Sequence, residues 1–139
     1  MKKVMVFGTF DIVHCGHLHM FEEAKEYGDE LVVVVARDVN VERIKETGAM
    51  HTEEERYYFL DRIKTIDRVI LGERQDVYKV IREERPDVIA LGYDQKIYVD
   101  LLADKISEFG LNSQIVRLVP YEPNKFKSSK IKKYIERVV

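Results

Sequence analysis

The sequence predicts an α/β protein: a five-stranded parallel sheet with helices on both faces. Three observations carry this. Short apolar runs recur along the 139 residues. Segments with helical spacing separate them. The run at 31–36 is nearly all valine, the mark of a strand buried on both faces, as parallel sheets require. Strands joined by helices imply right-handed crossovers within one sheet. At this length a single domain, 1–139, is the natural count.

The elements follow in order. The first strand is the run 4–7, ending at Gly8. Leu18, Phe21, Ala24 and Lys25 carry a helix over 18–27 that stops at Gly28. The valine run at 31–36 is the second strand. Thr52 opens a helix as N-cap, with Glu55 as its capping-box partner, and Tyr58, Phe59, Leu60 and Ile63 are expected on one side. A short third strand spans 68–71. A helix over 76–85 is closed by Pro86. The fourth strand, 88–91, ends at Gly92, and a helix over 98–109 stops at Gly110. The fifth strand covers 114–119 and the last helix 128–139. Two stretches, 39–51 and 120–127, read as irregular, and loops that long in a compact α/β domain are kept mainly for function.

Composition removes several classes. Hydrophobic residues at 45% and charged residues at 35% suit a globular core, not a disordered chain. No apolar run approaches the roughly 20 residues of a membrane helix. The start, Met1-Lys2-Lys3-Val4, lacks the apolar region and cleavage site of a signal peptide. Cys15 is the only cysteine, so neither an intrachain disulfide nor a multi-cysteine zinc site is expected. A cytoplasmic protein is the resulting expectation. A formal net charge of −2 argues against wrapping nucleic acid. The charge is uneven: residues 125–137 hold Lys125, Lys127, Lys130, Lys132, Lys133 and Arg137 against Glu136 alone. That field suits a nucleotide's phosphate chain, although a solvated helix face is the simpler account of this stretch alone.

In open α/β sheets, function gathers at the carboxyl ends of the strands. That rule selects Gly8-Thr9-Phe10-Asp11 and His14-Cys15-Gly16-His17 after strand one, Arg37-Asp38 after strand two, Gly92-Tyr93-Asp94-Gln95 after strand four and Pro120-Tyr121 after strand five. His14 and His17 flank Gly16 just before a helix, whose free N–H groups favour phosphate. A glycine there removes a Cβ where phosphate approaches the backbone. Two imidazoles beside such a site donate hydrogen bonds to charge building on phosphorus. The alternative is that one histidine caps the helix and the other packs. Two histidines with Asp11 also suggest zinc, but no third strong ligand is fixed, so no metal ligand is assigned. His19 and His51 read as surface histidines, and Cys15 as a small spacer.

The run Gly8-Thr9-Phe10-Asp11-Ile12-Val13-His14-Cys15-Gly16-His17 resembles the signature of the HxGH nucleotidyltransferase superfamily, in its cytidylyltransferase-like branch. Glu55-Arg56 with Leu60 resembles that branch's second motif, and Ser128-Ser129-Lys130-Ile131 its C-terminal motif. The resemblance spans essentially the whole chain and implies a Rossmann-like nucleotidyltransferase fold. Within the branch, Val35-Ala36-Arg37-Asp38, Arg43-Ile44-Lys45 and Leu91-Gly92-Tyr93-Asp94-Gln95 are similar to the archaeal-type FAD synthases, which adenylylate FMN. The alternative is the glycerol-3-phosphate cytidylyltransferases, which use CTP. Their Arg-Thr-x-Gly run before the last helix is missing here. A non-catalytic nucleotide-binding module is a third reading, disfavoured because both histidines are present.

By this resemblance the substrates are ATP, with a divalent cation such as Mg2+, and FMN, and the assembly is a homodimer. His14 and His17 are the catalytic residues. The nucleotide contacts are Thr9, Phe10, His14, Cys15, Gly16, His17, Asp94, Tyr121, Lys127, Ser128 and Ser129. Asp11 and Asp38 are expected to place the cation or a substrate hydroxyl. Arg43 and Lys45, on the segment 39–51, are expected to close over the phosphates. Flavin-stacking candidates are Tyr57, Tyr58, Phe59, Tyr93, Tyr98 and Phe126.

Overall fold

A computed structural model describes residues 1–45, 47–120 and 128–138 of the chain, and the side chains of 128–130, 132 and 138 fall outside that description. Five strands form one sheet: β1 (Lys3–Gly8), β2 (Glu30–Val35), β3 (Arg68–Leu71), β4 (Val88–Leu91) and β5 (Gln114–Arg117). Their spatial order is β3-β2-β1-β4-β5, and every pairing is parallel. The helices are α1 (Cys15–Lys25), α2 (Asp38–Ile44), α3 (Glu53–Leu60), α4 (Lys79–Glu84), α5 (Leu102–Glu108) and α6 (Ser128–Val138).

Strand side chains alternate between the two faces, and both faces are covered. Val4, Val6, Leu31, Val33 and Val35 pack with Phe21 and Ala24 of α1 and Leu60 of α3. Met5, Val32, Val34, Ile89 and Leu91 pack on the opposite face with Val80 and Ile81 of α4 and Leu102 and Ile106 of α5. This double burial is why the central strands carry unbroken apolar runs. The edge strand β5 is largely exposed, with Ile115 facing solvent.

All five strands and the expected helices are present, with instructive differences in extent. The stretch 39–51 is not wholly irregular, because Asp38–Ile44 is helical. Only Asn40 and Val41 of that helix are buried, so it shows little apolar periodicity. The helix expected over 76–85 begins at Lys79, since the Tyr78 N–H donates to Asp76 Oδ1 at 3.1 Å and forms a turn first. The helix expected from 98 begins at Leu102, because Tyr98 takes a left-handed conformation with φ 65°. The largest correction concerns α3. Its buried positions are Glu53, Arg56 and Leu60, while Tyr58 and Phe59 are exposed. The inward face of this helix holds two charged residues, which an apolar count does not find.

Candidate active site

The sheet order places β1 beside β4, although they are distant in sequence, and connections leave in opposite directions on either side. That switch point opens a crevice at the carboxyl edge, where ligands bind in such sheets. The segments following β1 and β4 border it. Gln95 spans it: its Oε1 accepts from the Gly92 N–H at 3.2 Å, and its Nε2 donates to the Phe7 carbonyl at 3.3 Å.

After β1 the chain makes a tight return. Phe10 is left-handed (φ 54°) and buried. Its ring folds back over Gly8, where a Cβ would lie 2.7 Å from a ring carbon. Any side chain at residue 8 would therefore displace Phe10. The same ring meets His17 edge-on, with centroids 5.7 Å apart, and packs against Phe21. Phe10 thus fixes His17 from the core side.

His14 and His17 cap α1 reciprocally. The Gly16 N–H donates to His14 Nδ1 at 3.1 Å, and the His14 N–H donates to His17 Nδ1 at 3.2 Å. A backbone N–H can only donate, so both Nδ1 atoms are acceptors. Each neutral ring therefore carries its proton on Nε2. The rings lie 4.1 Å apart between centroids. Capping and phosphate binding were alternatives on sequence grounds; the structure shows both rings capping the helix through Nδ1, with their protons on Nε2.

Burial lowers the His14 pKa from its ordinary value. His17 is lowered to about 4, first by burial and then by the neighbouring His14, while the Asp94 carboxylate acts in the opposite sense. Both rings are accordingly neutral donors near pH 7. Asp94 belongs to the exposed turn after β4, on the far side of the crevice.

Arg56 holds the supporting shell. Its side chain is fully buried. Nη1 donates to the Thr9 carbonyl at 2.8 Å and the Ala36 carbonyl at 2.9 Å, Nε to the His51 carbonyl at 3.2 Å, and Nη2 to Asp38 Oδ1 at 2.7 Å. One guanidinium thus ties together the loops after β1 and β2 and the start of α3. Asp38 and Glu53 reinforce it. The Asp38 N–H donates to Glu53 Oε1 at 2.9 Å, and the Glu53 N–H donates to Asp38 Oδ2 at 3.2 Å. Arg37 adds a 2.7 Å ion pair to Glu53. Burial pushes the Glu53 carboxyl up, but hydrogen bonds from Asp38 and Arg37 bring it below its ordinary value.

The carboxylates expected to place a cation have other engagements. Asp11 accepts from the Met50 and His51 N–H groups, both at 2.9 Å. The His51 ring approaches the Asp11 carbonyl at 2.8 Å through Nδ1, so His51 is a structural partner of the loop rather than a bystander. Asp38 is held by Arg56 and the Glu53 amide. Among the described residues no group of three or more His, Cys, Asp or Glu is arranged to hold a metal ion. These residues do not fit a protein-held divalent ion.

Of the other expected residues, Cys15 and Gly16 form the first turn of α1 beside the histidines, and Cys15 is exposed. Arg43 donates to Asn40 Oδ1 at 3.1 Å, and its guanidinium lies 3.5 Å from the Arg74 carbonyl. Lys45 is the exposed C-cap of α2. Ser128 and Ser129 open α6, with side chains outside the description, while Tyr121 and Lys127 lie outside the described residues altogether. Glu53 and the role of His51 were not foreseen; Arg37 and Gln95 were selected at their strand ends, but not the pairings they make. The Thr52–Glu55 capping box, confirmed at 2.9 and 3.1 Å, was the one signal pointing to where Glu53 and Arg56 sit.

Comparison with known proteins accords with this geometry. The cytidylyltransferase-like family profile matches residues 5–134. The chain belongs to that family. The FAD synthase of Thermoplasma acidophilum is 42% identical over all of this chain and 97% of its own length. That of Korarchaeum cryptofilum is 49% identical over 84% of this chain and 81% of its own. Among solved structures, the lipopolysaccharide core biosynthesis protein from Thermoplasma volcanium superposes with a TM-score of 0.81 at 43% identity, covering 88% of this chain and 99% of that one. A pantoate-beta-alanine ligase from Francisella tularensis, at 15% identity and a TM-score of 0.62, covers 97% of this chain and 69% of its own and shares the fold alone.

Two outcomes follow from this family member's site. Arg56→Met leaves three carbonyls without their donor and Asp38 without its ion pair, so it should cost about 3–5 kcal/mol in denaturant unfolding. Arg56→Lys should recover little, because one ammonium cannot reproduce the fork. A loss below about 1 kcal/mol in Arg56→Met would contradict the clamp. The second outcome is a pH dependence. His17 binds a proton more weakly folded (about 4) than unfolded (6.5), so its contribution is fully present above 6.5 and lost as pH falls toward 4. The loss amounts to up to about 3 kcal/mol. Unfolding measured across that window should show a steeper acid decline in the wild type than in His17→Gln. Parallel profiles would rule out His17 as the titrating group.

Proposed function

We propose that this protein is an FMN adenylyltransferase, making FAD and pyrophosphate from ATP and FMN. The observation that carries the reading is a pair of neutral imidazoles with Nε2–H donors at the start of α1, in a chain 39–49% identical to several FAD synthases. An oxygen of the FMN phosphate attacks the α-phosphorus of ATP. The bond from that phosphorus to the bridging oxygen breaks, and pyrophosphate leaves with its electron pair. No protein nucleophile takes part. Catalysis is positioning together with stabilisation of negative charge on the pentacoordinate phosphorus.

His14 and His17 donate from Nε2 to the phosphate oxygens, and the positive end of the α1 dipole favours the same negative charge. Asp94 faces them from across the crevice. Thr9, Phe10, Cys15 and Gly16 form the nucleotide loop, and Tyr121 serves the adenine. Lys127, Ser128 and Ser129 take the outer phosphates, with Arg43 and Lys45 assisting from α2. A divalent cation accompanies the triphosphate as part of the substrate and neutralises the leaving pyrophosphate. Asp11 and Asp38 act through the loops they hold.

The protein is also proposed to be a homodimer. A cleft of about 570 Å3 lies between residues 10–13 and α3, lined by Ile12, Val13, Tyr58 and Phe59 among others. Tyr58 is 60% exposed and Phe59 55%, an apolar rim suited to a second copy. Sedimentation should give a dimer, and Phe59→Glu with Tyr58→Glu a folded monomer. A monomeric wild type would refute the assembly.

The activity is tested by incubating the protein with Mg2+, ATP or CTP, and FMN or glycerol 3-phosphate, and resolving the products. FAD from ATP and FMN is expected. His17→Ala should slow its formation by about 100-fold or more, with the fold retained. CDP-glycerol forming faster than FAD would replace the substrate assignment. Near-normal turnover in both His17→Ala and His14→Ala would remove the histidines from the chemistry.

A further inference from the structure

We infer that the segment 93–101, after β4, is the platform on which the isoalloxazine ring of FMN stacks, with Tyr98 and Tyr93 as the contacting side chains. The inference rests on the FMN reading above and assigns it a subsite. A flavin is a large planar ring joined to its phosphate by a five-carbon chain, so it needs an apolar surface near the reacting phosphate. Two apolar surfaces flank the histidine loop. The cleft against α3 lies on the β2 side of β1, away from the switch point, and is bordered by Asp11, Glu54 and Glu55. Its rim, Tyr58 and Phe59, is the surface assigned above to the second copy.

The segment 93–101 lies on the β4 side, where the crevice opens. It carries Asp94, whose charge is felt by His17, so the segment is electrostatically coupled to the reacting centre. Gln95 bolts it to the Phe7 carbonyl at the end of β1. It exposes Tyr93, Ile97, Tyr98 and Leu101, four large apolar side chains within nine residues. Surface residues of this kind are common singly; four of them on one short segment after β4 are what a binding surface at the crevice would need.

The backbone supports the same assignment. Tyr98 is held left-handed, a conformation that costs a non-glycine residue energy. The Tyr78 hydroxyl donates to the Tyr98 carbonyl at 2.8 Å, and the two rings meet edge-on at 6.2 Å. These contacts fix the Tyr98 backbone and one edge of its ring, while the residue stays 43% exposed. Tyr98 also lines, with Phe7, Tyr78, Leu91 and Ile97, a small apolar cavity of about 60 Å3. Fused rings do not fit inside that volume, so the flavin lies across the exposed part of the ring rather than within the cavity. A rigid, half-exposed aromatic residue gives stacking area at little entropic cost.

The test compares FMN affinity, read by flavin fluorescence, with KM for ATP in Tyr98→Ala, Tyr93→Ala and Phe59→Ala. The two tyrosine variants should each weaken FMN by about fivefold or more, with KM for ATP within about twofold. Tyr98→Phe should restore FMN affinity, because the ring and not the hydroxyl stacks. Should Tyr98→Ala fail to fold, Tyr93→Ala decides. Wild-type FAD formation with FMN affinity unchanged in the tyrosine variants, or weakened in Phe59→Ala instead, overturns the subsite alone. A wild type that neither binds FMN nor forms FAD overturns the functional reading, and the subsite with it.

Discussion

The site depends first on one buried guanidinium. Arg56 has no exposed side-chain surface and donates to the carbonyls of Thr9, Ala36 and His51 and to Asp38. Those groups lie at the ends of β1 and β2 and at the start of α3, so one planar fork sets the distances among three loops. Burying a charge is costly unless it is paired and every proton is used. Here the carboxylate supplies the pairing, and carbonyls that would otherwise lack donors take the remaining protons. The Asp38–Glu53 exchange of backbone amides and the Arg37–Glu53 pair extend the clamp to the start of α2.

From that frame the histidine loop acquires its geometry. Arg56 holds Thr9, and Thr9 precedes the left-handed Phe10, whose ring needs the bare Gly8 beneath it and in turn supports His17. The histidines then settle each other's protonation. Each Nδ1 receives a backbone N–H, so each Nε2 keeps its proton, and burial holds both rings neutral. Neutral donors suit a phosphoryl-type centre, where they stabilise charge as it develops without binding the ground state as tightly as cations would.

The switch point between β1 and β4 supplies the remaining constraint. Strand order puts the histidine loop opposite a segment about 80 residues later, counted from His14 to Asp94. Gln95 closes the span with two hydrogen bonds, so the crevice has a defined floor. The far wall carries Asp94, whose charge acts on His17, and the exposed Tyr93 and Tyr98.

Much of this was legible in the chain itself. Valine-rich strands, glycine stops and the Thr52–Glu55 capping box determine the strand–helix alternation, because these signals are local and act through backbone conformation and two-faced burial. The spacing of His14, Gly16 and His17 after a strand pointed to the helix start where the two rings meet. Tertiary structure decided what local pattern could not carry. Asp11 and Asp38 look like free functional groups in one dimension and His51 like a surface histidine, and only long-range pairing shows them holding loops. Arg56 enters the sequence reading only as part of a motif, and its buried role appears once Thr9, Ala36 and Asp38, distant in the chain, surround it. Tyr58 and Phe59 look like core until the helix turns Glu53 and Arg56 inward instead. The physical reason is common to all of these: a polar side chain's role is set by which unsatisfied groups meet it, and residues far apart in sequence bring those groups together only when the sheet closes.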